Sequence, residues 1–105
     1  MSLKFARKVP VEEIAEALRA FSGPPQRLSL PSAPEHPILV TSMPDRPQPR
    51  FDVNLAGGMA AIVGRIRSCP VLDVKFTLLG HNTIRGAAGA SILNAELLKA
   101  QGYLE

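Results

Sequence analysis

The sequence predicts an α+β fold: a mostly antiparallel sheet with a helix packed across it, plus a second helix at the C-terminus. Three observations carry this prediction. Leu72, Val74, Phe76 and Leu78 alternate with Asp73, Lys75 and Thr77, the period-two pattern of a strand with one face buried. Past Gly80 the period lengthens, and Ile84, Ala88, Ile92, Ala95 and Leu98 recur three or four apart, as they do on a helix. Between residues 24 and 49 lie eight of the ten prolines, a density that excludes long helix and confines strands to short or edge pieces.

Taken in order, Ser2 to Ala6 alternates Leu3 and Phe5 against Ser2, Lys4 and Ala6, which predicts a short first strand. Pro10 suits a first helical turn, and Glu12 and Glu13 suit the positive end of the helix dipole. Val11, Ile14, Ala15, Leu18 and Phe21 form one apolar stripe, and Ser22-Gly23-Pro24 stops the helix. Residues 24–58 form a proline-rich arm in which Ile38-Leu39-Val40-Thr41 is the one plausible strand. Arg46 and Arg50 flank Pro47-Gln48-Pro49. They suit either a carboxylate or phosphate partner or a salt-bridged loop between subunits. Ala61, Val63 and Arg65 alternate with Ile62, Gly64 and Ile66, and Ser68-Cys69-Pro70 turns this strand into the next, predicting an antiparallel hairpin. Gly64 inside a strand marks a bulge or a close backbone approach.

Composition bounds the function. With 105 residues the chain makes one domain at most, and 46% hydrophobic with 20% charged residues is a globular balance. A net charge of +3, scattered basic residues and no Trp argue against nucleic-acid binding. No apolar run approaches the roughly 20 residues of a membrane span, no signal peptide opens the chain, and a single Cys suits a reducing compartment, so a cytoplasmic protein is expected. Cys69 lies in a turn beside Pro70 with no evident base, and His36 and His81 have no ligand cluster around them, so neither thiol catalysis nor metal binding is expected.

The chemistry concentrates at the junction Gly80-His81-Asn82-Thr83-Ile84-Arg85-Gly86-Ala87-Ala88-Gly89. Asn82 and Thr83 are N-cap residue types at the expected helix start, whose free N–H groups can hold polar or anionic groups. The bland alternative is a strand–helix junction made small for tight packing. The last helix is apolar twice over: Ile84, Ala87, Ala88, Ile92, Ala95 and Leu98 on one stripe, Leu93, Leu97 and Ala100 on another. The sheet is expected to cover one of these faces and something outside the chain the other, so the isolated chain should self-associate or leave residues 83–105 mobile.

The string His81 to Gly89, followed by Leu93-Asn94-Ala95-Glu96-Leu97-Leu98, resembles the C-terminal segment of aspartate-semialdehyde dehydrogenases of the archaeal and fungal branch. Pro44-Asp45-Arg46-Pro47-Gln48-Pro49-Arg50, Gly58-Met59-Ala60, Val63-Gly64-Arg65-Ile66-Arg67 and Val71 to Phe76 resemble the same family in the same order. The resemblance implies an NADP-dependent, homo-oligomeric enzyme that converts aspartyl phosphate to aspartate semialdehyde in amino-acid biosynthesis. Residues 1–80 would be the end of its catalytic and dimerisation domain, and 81–105 the helix that returns to a nucleotide-binding domain outside this chain. The family's nucleophilic Cys, its catalytic His and its dinucleotide loop would also lie outside, so no catalytic residue is assigned and the chain alone is expected to be inactive. By family position Asn82 resembles the amide that meets the nicotinamide carboxamide, with His81, Thr83 and Gly86 lining the same cofactor pocket. The related malonyl-CoA reductase and a freestanding assembly module without catalysis are the alternatives.

Overall fold

A computed structural model describes residues 1–105. Four strands form one mixed sheet in the order β1-β4-β3-β2. They are β1 (Ser2–Leu3), β2 (Ile38–Val40), β3 (Ala61–Ser68) and β4 (Val74–Leu79). The helices are α1 (Val11–Ala20), α2 (Pro24–Arg27), α3 (Pro49–Asp52) and α4 (Gly89–Ala100), with a π turn over Ile84–Ala88 leading into α4.

β3 and β4 form the predicted antiparallel hairpin at the centre. Its register slips between Gly64 and Arg67, and Arg65 takes a left-handed φ of 55°, so a bulge interrupts the ladder next to Gly64. Gly64 also meets the second expectation. A Cβ there would collide with the Arg46 carbonyl oxygen and come within 2.7 Å of the Thr41 methyl and 2.8 Å of Pro47 Cδ. The arm thus lies directly on the strand, and only glycine leaves room for it.

Two pairings are antiparallel, as expected; the third, β2 with β3, is parallel. Parallel neighbours need a connection of a dozen or more residues, and residues 41–60 supply it. The first strand is shorter than the predicted Ser2–Ala6. The Phe5 N–H turns away and donates to the Asp73 carboxylate at 2.6 Å, which ends the ladder with β4. β4 starts two residues later than its alternation suggests, because Leu72 N–H donates to Cys69 Sγ at 3.4 Å and holds the preceding residues in a bend.

α1 lies against β2 and β3 with Ile14 and Ala15 buried. Phe21 falls outside the helix, in extended backbone, and is exposed rather than part of the stripe. The arm contains only short helices, α2 and α3, each with proline in its first turn, and a 3-10 turn over Leu55–Gly58. Gln26 closes α2 by accepting the Gly23 N–H at 3.0 Å and donating to the Pro34 carbonyl at 3.0 Å.

α4 departs from expectation. It does not lie on the sheet. Leu93, 6% exposed, packs with Leu30 and Met59, and Ala33, Ile84 and Leu97 surround them, so the arm provides the cover. Glu96 fixes the contact, accepting the Ser32 N–H at 2.9 Å and the Ser32 hydroxyl at 2.7 Å. The other face carries Ile92, 55% exposed, and Leu98, 43% exposed, and nothing within the chain covers it. The molecule is a slab of 51 × 34 × 18 Å with a radius of gyration of 15.4 Å. A compact domain of this length would have about 13 Å.

Candidate functional site

The two arginines singled out in the arm have separate fates. Arg46 Nε donates to Asp52 Oδ2 at 2.7 Å and its Nη2 donates to Oδ1 at 2.5 Å, a bidentate fork that the Gln48 N–H completes at 2.7 Å. Asp52 is 3% exposed. The Arg46 hydrogen bond holds its carboxyl down to about 2, the Gln48 N–H helps, and burial opposes them. The same bond raises the Arg46 guanidinium, again against burial. Arg46 is therefore committed to pinning the arm and is not free for a substrate anion. Arg50 stands over the Phe51 ring, 5.6 Å from its centroid. Sequence reasoning missed Asp52; its signal was an acidic residue in the first turn of the short helix that Pro49 starts.

Cys69 lines a cavity of about 320 Å³ with Lys8, Ser68 and Asp73. The Leu72 and Val71 backbone N–H groups lower its pKa, with a smaller contribution from Lys75. No histidine lines this cavity.

His81, Asn82, Thr83 and Gly86 come together at the head of the terminal helix. Thr83 stands at the N-cap, where its residue type placed the helix start, but its side chain makes no capping hydrogen bond. Neither Asn82 nor Thr83 hydrogen-bonds the helix start with its side chain; the His81 ring, two residues before the N-cap, does. His81 Nδ1 accepts the Thr83 N–H at 3.3 Å and the Ile84 N–H at 3.1 Å, the donors at the N-cap and at the first helical residue. Its carbonyl accepts the Gly86 N–H at 2.9 Å, and Ala88 N–H reaches the Thr83 carbonyl at 2.9 Å. These bonds span five residues, so the helix opens with a wide π turn of the kind found often at functional sites.

Small residues make that turn possible. A Cβ on Gly89 would strike Met59 Sδ and approach the Ile84 carbonyl oxygen to 2.9 Å. Asn82 and Thr83 stay exposed, and the Asn82 amide makes no hydrogen bond within the chain. Gly86 is exposed as well. Cavities of about 220 to 320 Å³ occur elsewhere on the surface, and residues 81–86 line none of these. The four residues form an open polar surface that could be one wall of a binding site, with the Asn82 amide free to donate and accept at once.

A family model described as semialdehyde dehydrogenase, dimerisation domain, matches residues 1–85. An aspartate-semialdehyde dehydrogenase of Cryptococcus neoformans var. neoformans is 48% identical over 107 aligned residues, covering 100% of this chain and 29% of that protein. Its counterpart from Methanothermobacter thermautotrophicus is 51% identical over 90 residues, covering 84% of this chain and 26% of its own length. A malonyl CoA reductase (NADP) of Metallosphaera sedula is 44% identical, over 96% of this chain and 29% of that enzyme. The crystal structure of the Candida albicans aspartate semialdehyde dehydrogenase with NADP superposes with a TM-score of 0.87 at 49% identity, over 95% of this chain and 28% of that one. The chain thus spans under a third of the length of these relatives. No helix is long and apolar enough to cross a membrane. A family match over residues 1–85, reinforced by nearly half identity along the chain and by the shared fold, establishes that this chain belongs to the semialdehyde dehydrogenase family, in its dimerisation domain.

Proposed function

We propose that this chain is the C-terminal portion of an NADP-dependent aspartate-semialdehyde dehydrogenase, providing part of the dimerisation surface and one contact to the nicotinamide. The observation that carries the cofactor contact is the Asn82 amide, exposed and unpaired on a turn that the His81 ring and carbonyl hold in place. That donor set fits a carboxamide edge: the Asn82 NH₂ donates to the carboxamide oxygen and its carbonyl accepts from the carboxamide NH₂. NADP, when bound, supplies the hydride chemistry that interconverts acyl and aldehyde carbon. The residues here orient its ring; the nucleophile and the acid–base group belong to the portion of the enzyme outside this chain. Alone the 105-residue chain is inactive. In the assembled enzyme, a second copy and the nucleotide-binding domain would cover the apolar surface left open, including Ile92 and Leu98.

The test is a chimera in which this chain replaces the matching 28% of the Candida albicans enzyme. Asn82→Ala should weaken productive NADP binding by about 1–3 kcal/mol, the cost of an unpaired polar partner, raising KM for NADP about 5- to 150-fold. An unchanged KM for NADP would remove the assignment. The similarity to malonyl CoA reductase (NADP) carries the second reading, and assaying the chimera with malonyl-CoA beside aspartyl phosphate separates the two.

A further inference from the structure

We infer that His81 is a positioning residue for Asn82: as the neutral tautomer protonated on Nε2, its ring locks the turn that presents the Asn82 amide. The inference rests on the nicotinamide role proposed for Asn82, and it assigns to His81 a task other than touching the cofactor.

The tautomer follows from the hydrogen bonds. Backbone N–H groups can only donate, and Nδ1 faces two of them, from Thr83 and Ile84. An imidazole nitrogen accepts only when it carries no proton. Nδ1 is therefore bare and the ring proton sits on Nε2, with the Thr83 hydroxyl lying 3.3 Å from the same nitrogen.

The lock then follows from what else His81 holds. Its ring satisfies the donors two and three residues on, and its carbonyl satisfies Gly86, five residues on. Asn82 lies inside this double closure, so its backbone direction is set by groups on either side of it. The ring also lies over bare backbone in the arm. Gly58, buried with φ 79°, lies so close that a Cβ would come within 3.2 Å of His81 Cδ2 and 3.1 Å of Ile84 Cδ1. A residue held both at its ring and at its backbone carbonyl has few ways to turn, and it passes that restraint to its neighbour. Holding a contacting group in its productive orientation before the ligand arrives is worth affinity without adding any contact.

Three variants test the assignment. His81→Ala removes the acceptor, whereas His81→Asp restores one, because an aspartate side chain accepts from the backbone N–H two residues on and its charge suits the positive end of a helix. In the 105-residue chain, His81→Ala should speed amide exchange at Thr83 and Ile84 at least tenfold, and His81→Asp should return it towards wild type. Histidine labelled with ¹⁵N should show the Nε2-protonated pattern. In the chimera, His81→Ala should raise KM for NADP about tenfold while KM for phosphate stays unchanged, and His81→Asp should recover NADP binding.

An Nδ1-protonated ring, or exchange indifferent to His81→Ala, would overturn the cap. Failure of His81→Asp to recover NADP binding would overturn positioning in favour of a direct ring contact. Should the alanine variant not fold, the ring tautomer and the aspartate variant still decide. If Asn82→Ala leaves NADP kinetics unchanged, the nicotinamide reading is the one that fails. If Asn82→Ala impairs them and His81→Ala does not, the fault lies with the positioning role.

Discussion

Gly64→Ala offers a sharp test of how the arm is seated. The added methyl would meet the Arg46 carbonyl oxygen, the Thr41 methyl at 2.7 Å and Pro47 Cδ at 2.8 Å. A side-chain tip could rotate away, but a carbonyl and a proline ring move only with the backbone. That backbone is pinned by the bidentate Arg46–Asp52 pair and the Gln48 N–H. Overpacking a filled site costs about 1–3 kcal/mol, and rigid neighbours place this case near the upper end, about 3 kcal/mol. Replacing glycine also restricts the unfolded chain, which returns about 0.4–1 kcal/mol. The net destabilisation is then about 2 kcal/mol. With a urea slope of about 1 kcal/mol/M, the unfolding midpoint should fall by about 2 M. The same substitution should cost less on an Asp52→Asn background, where the arm is free to lift. A midpoint within about 0.5 M of wild type, or identical costs on both backgrounds, would refute the idea that arm and strand touch through bare backbone at Gly64.

Other outcomes follow from the same contacts. Asp52 is held at about 2 in the fold against an ordinary value of 3.8, so its contribution is full above the ordinary value and is lost as pH falls through the folded one. An acid titration of stability should therefore be flatter below about pH 4 in Asp52→Asn than in wild type; matching slopes would discount the pair. Glu96→Ala removes two charge-assisted bonds to Ser32 and should cost about 2 kcal/mol, seen as faster amide exchange along α4 before the sheet loosens. Exchange that accelerates uniformly would contradict the tether. Ile92→Gln and Leu98→Gln lie on the uncovered face and should change stability by under about 0.5 kcal/mol. They should nevertheless lower the sedimenting mass of the chain, and a mass unaffected by both would show that this face plays no part in self-association.

Much of the fold was legible because it depends on local chemistry. Alternation marked both central strands, the turn at Cys69 marked their hairpin, and a glycine in mid-strand announced a bulge or a close backbone approach, of which the structure has both. What was not legible depended on distant partners. Nothing in the spacing of Leu93 and Leu97 says whether a sheet or a proline-rich arm will cover them, since both present apolar surface. Likewise Arg46 could have served any anion; that Asp52 claims it depends on the path of the chain through residues 47–51. Even the candidate site divided along this line. The segment was evident from its residue types, yet histidine is not among the usual capping residues, because its ring accepts in only one tautomer and orientation. Residue types alone therefore placed His81 beside Asn82 without revealing that its ring closes the turn.

The arm joins parts of the molecule that barely touch each other. At one end its backbone rests on Gly64 in the central strand; at others, Ser32 grips Glu96 and Gly58 backs the His81 ring. Such an arrangement works as a yoke. A displacement of the hairpin would be transmitted along residues 32–58 to the head of the terminal helix, so the central strand and the turn that carries Asn82 would be mechanically linked.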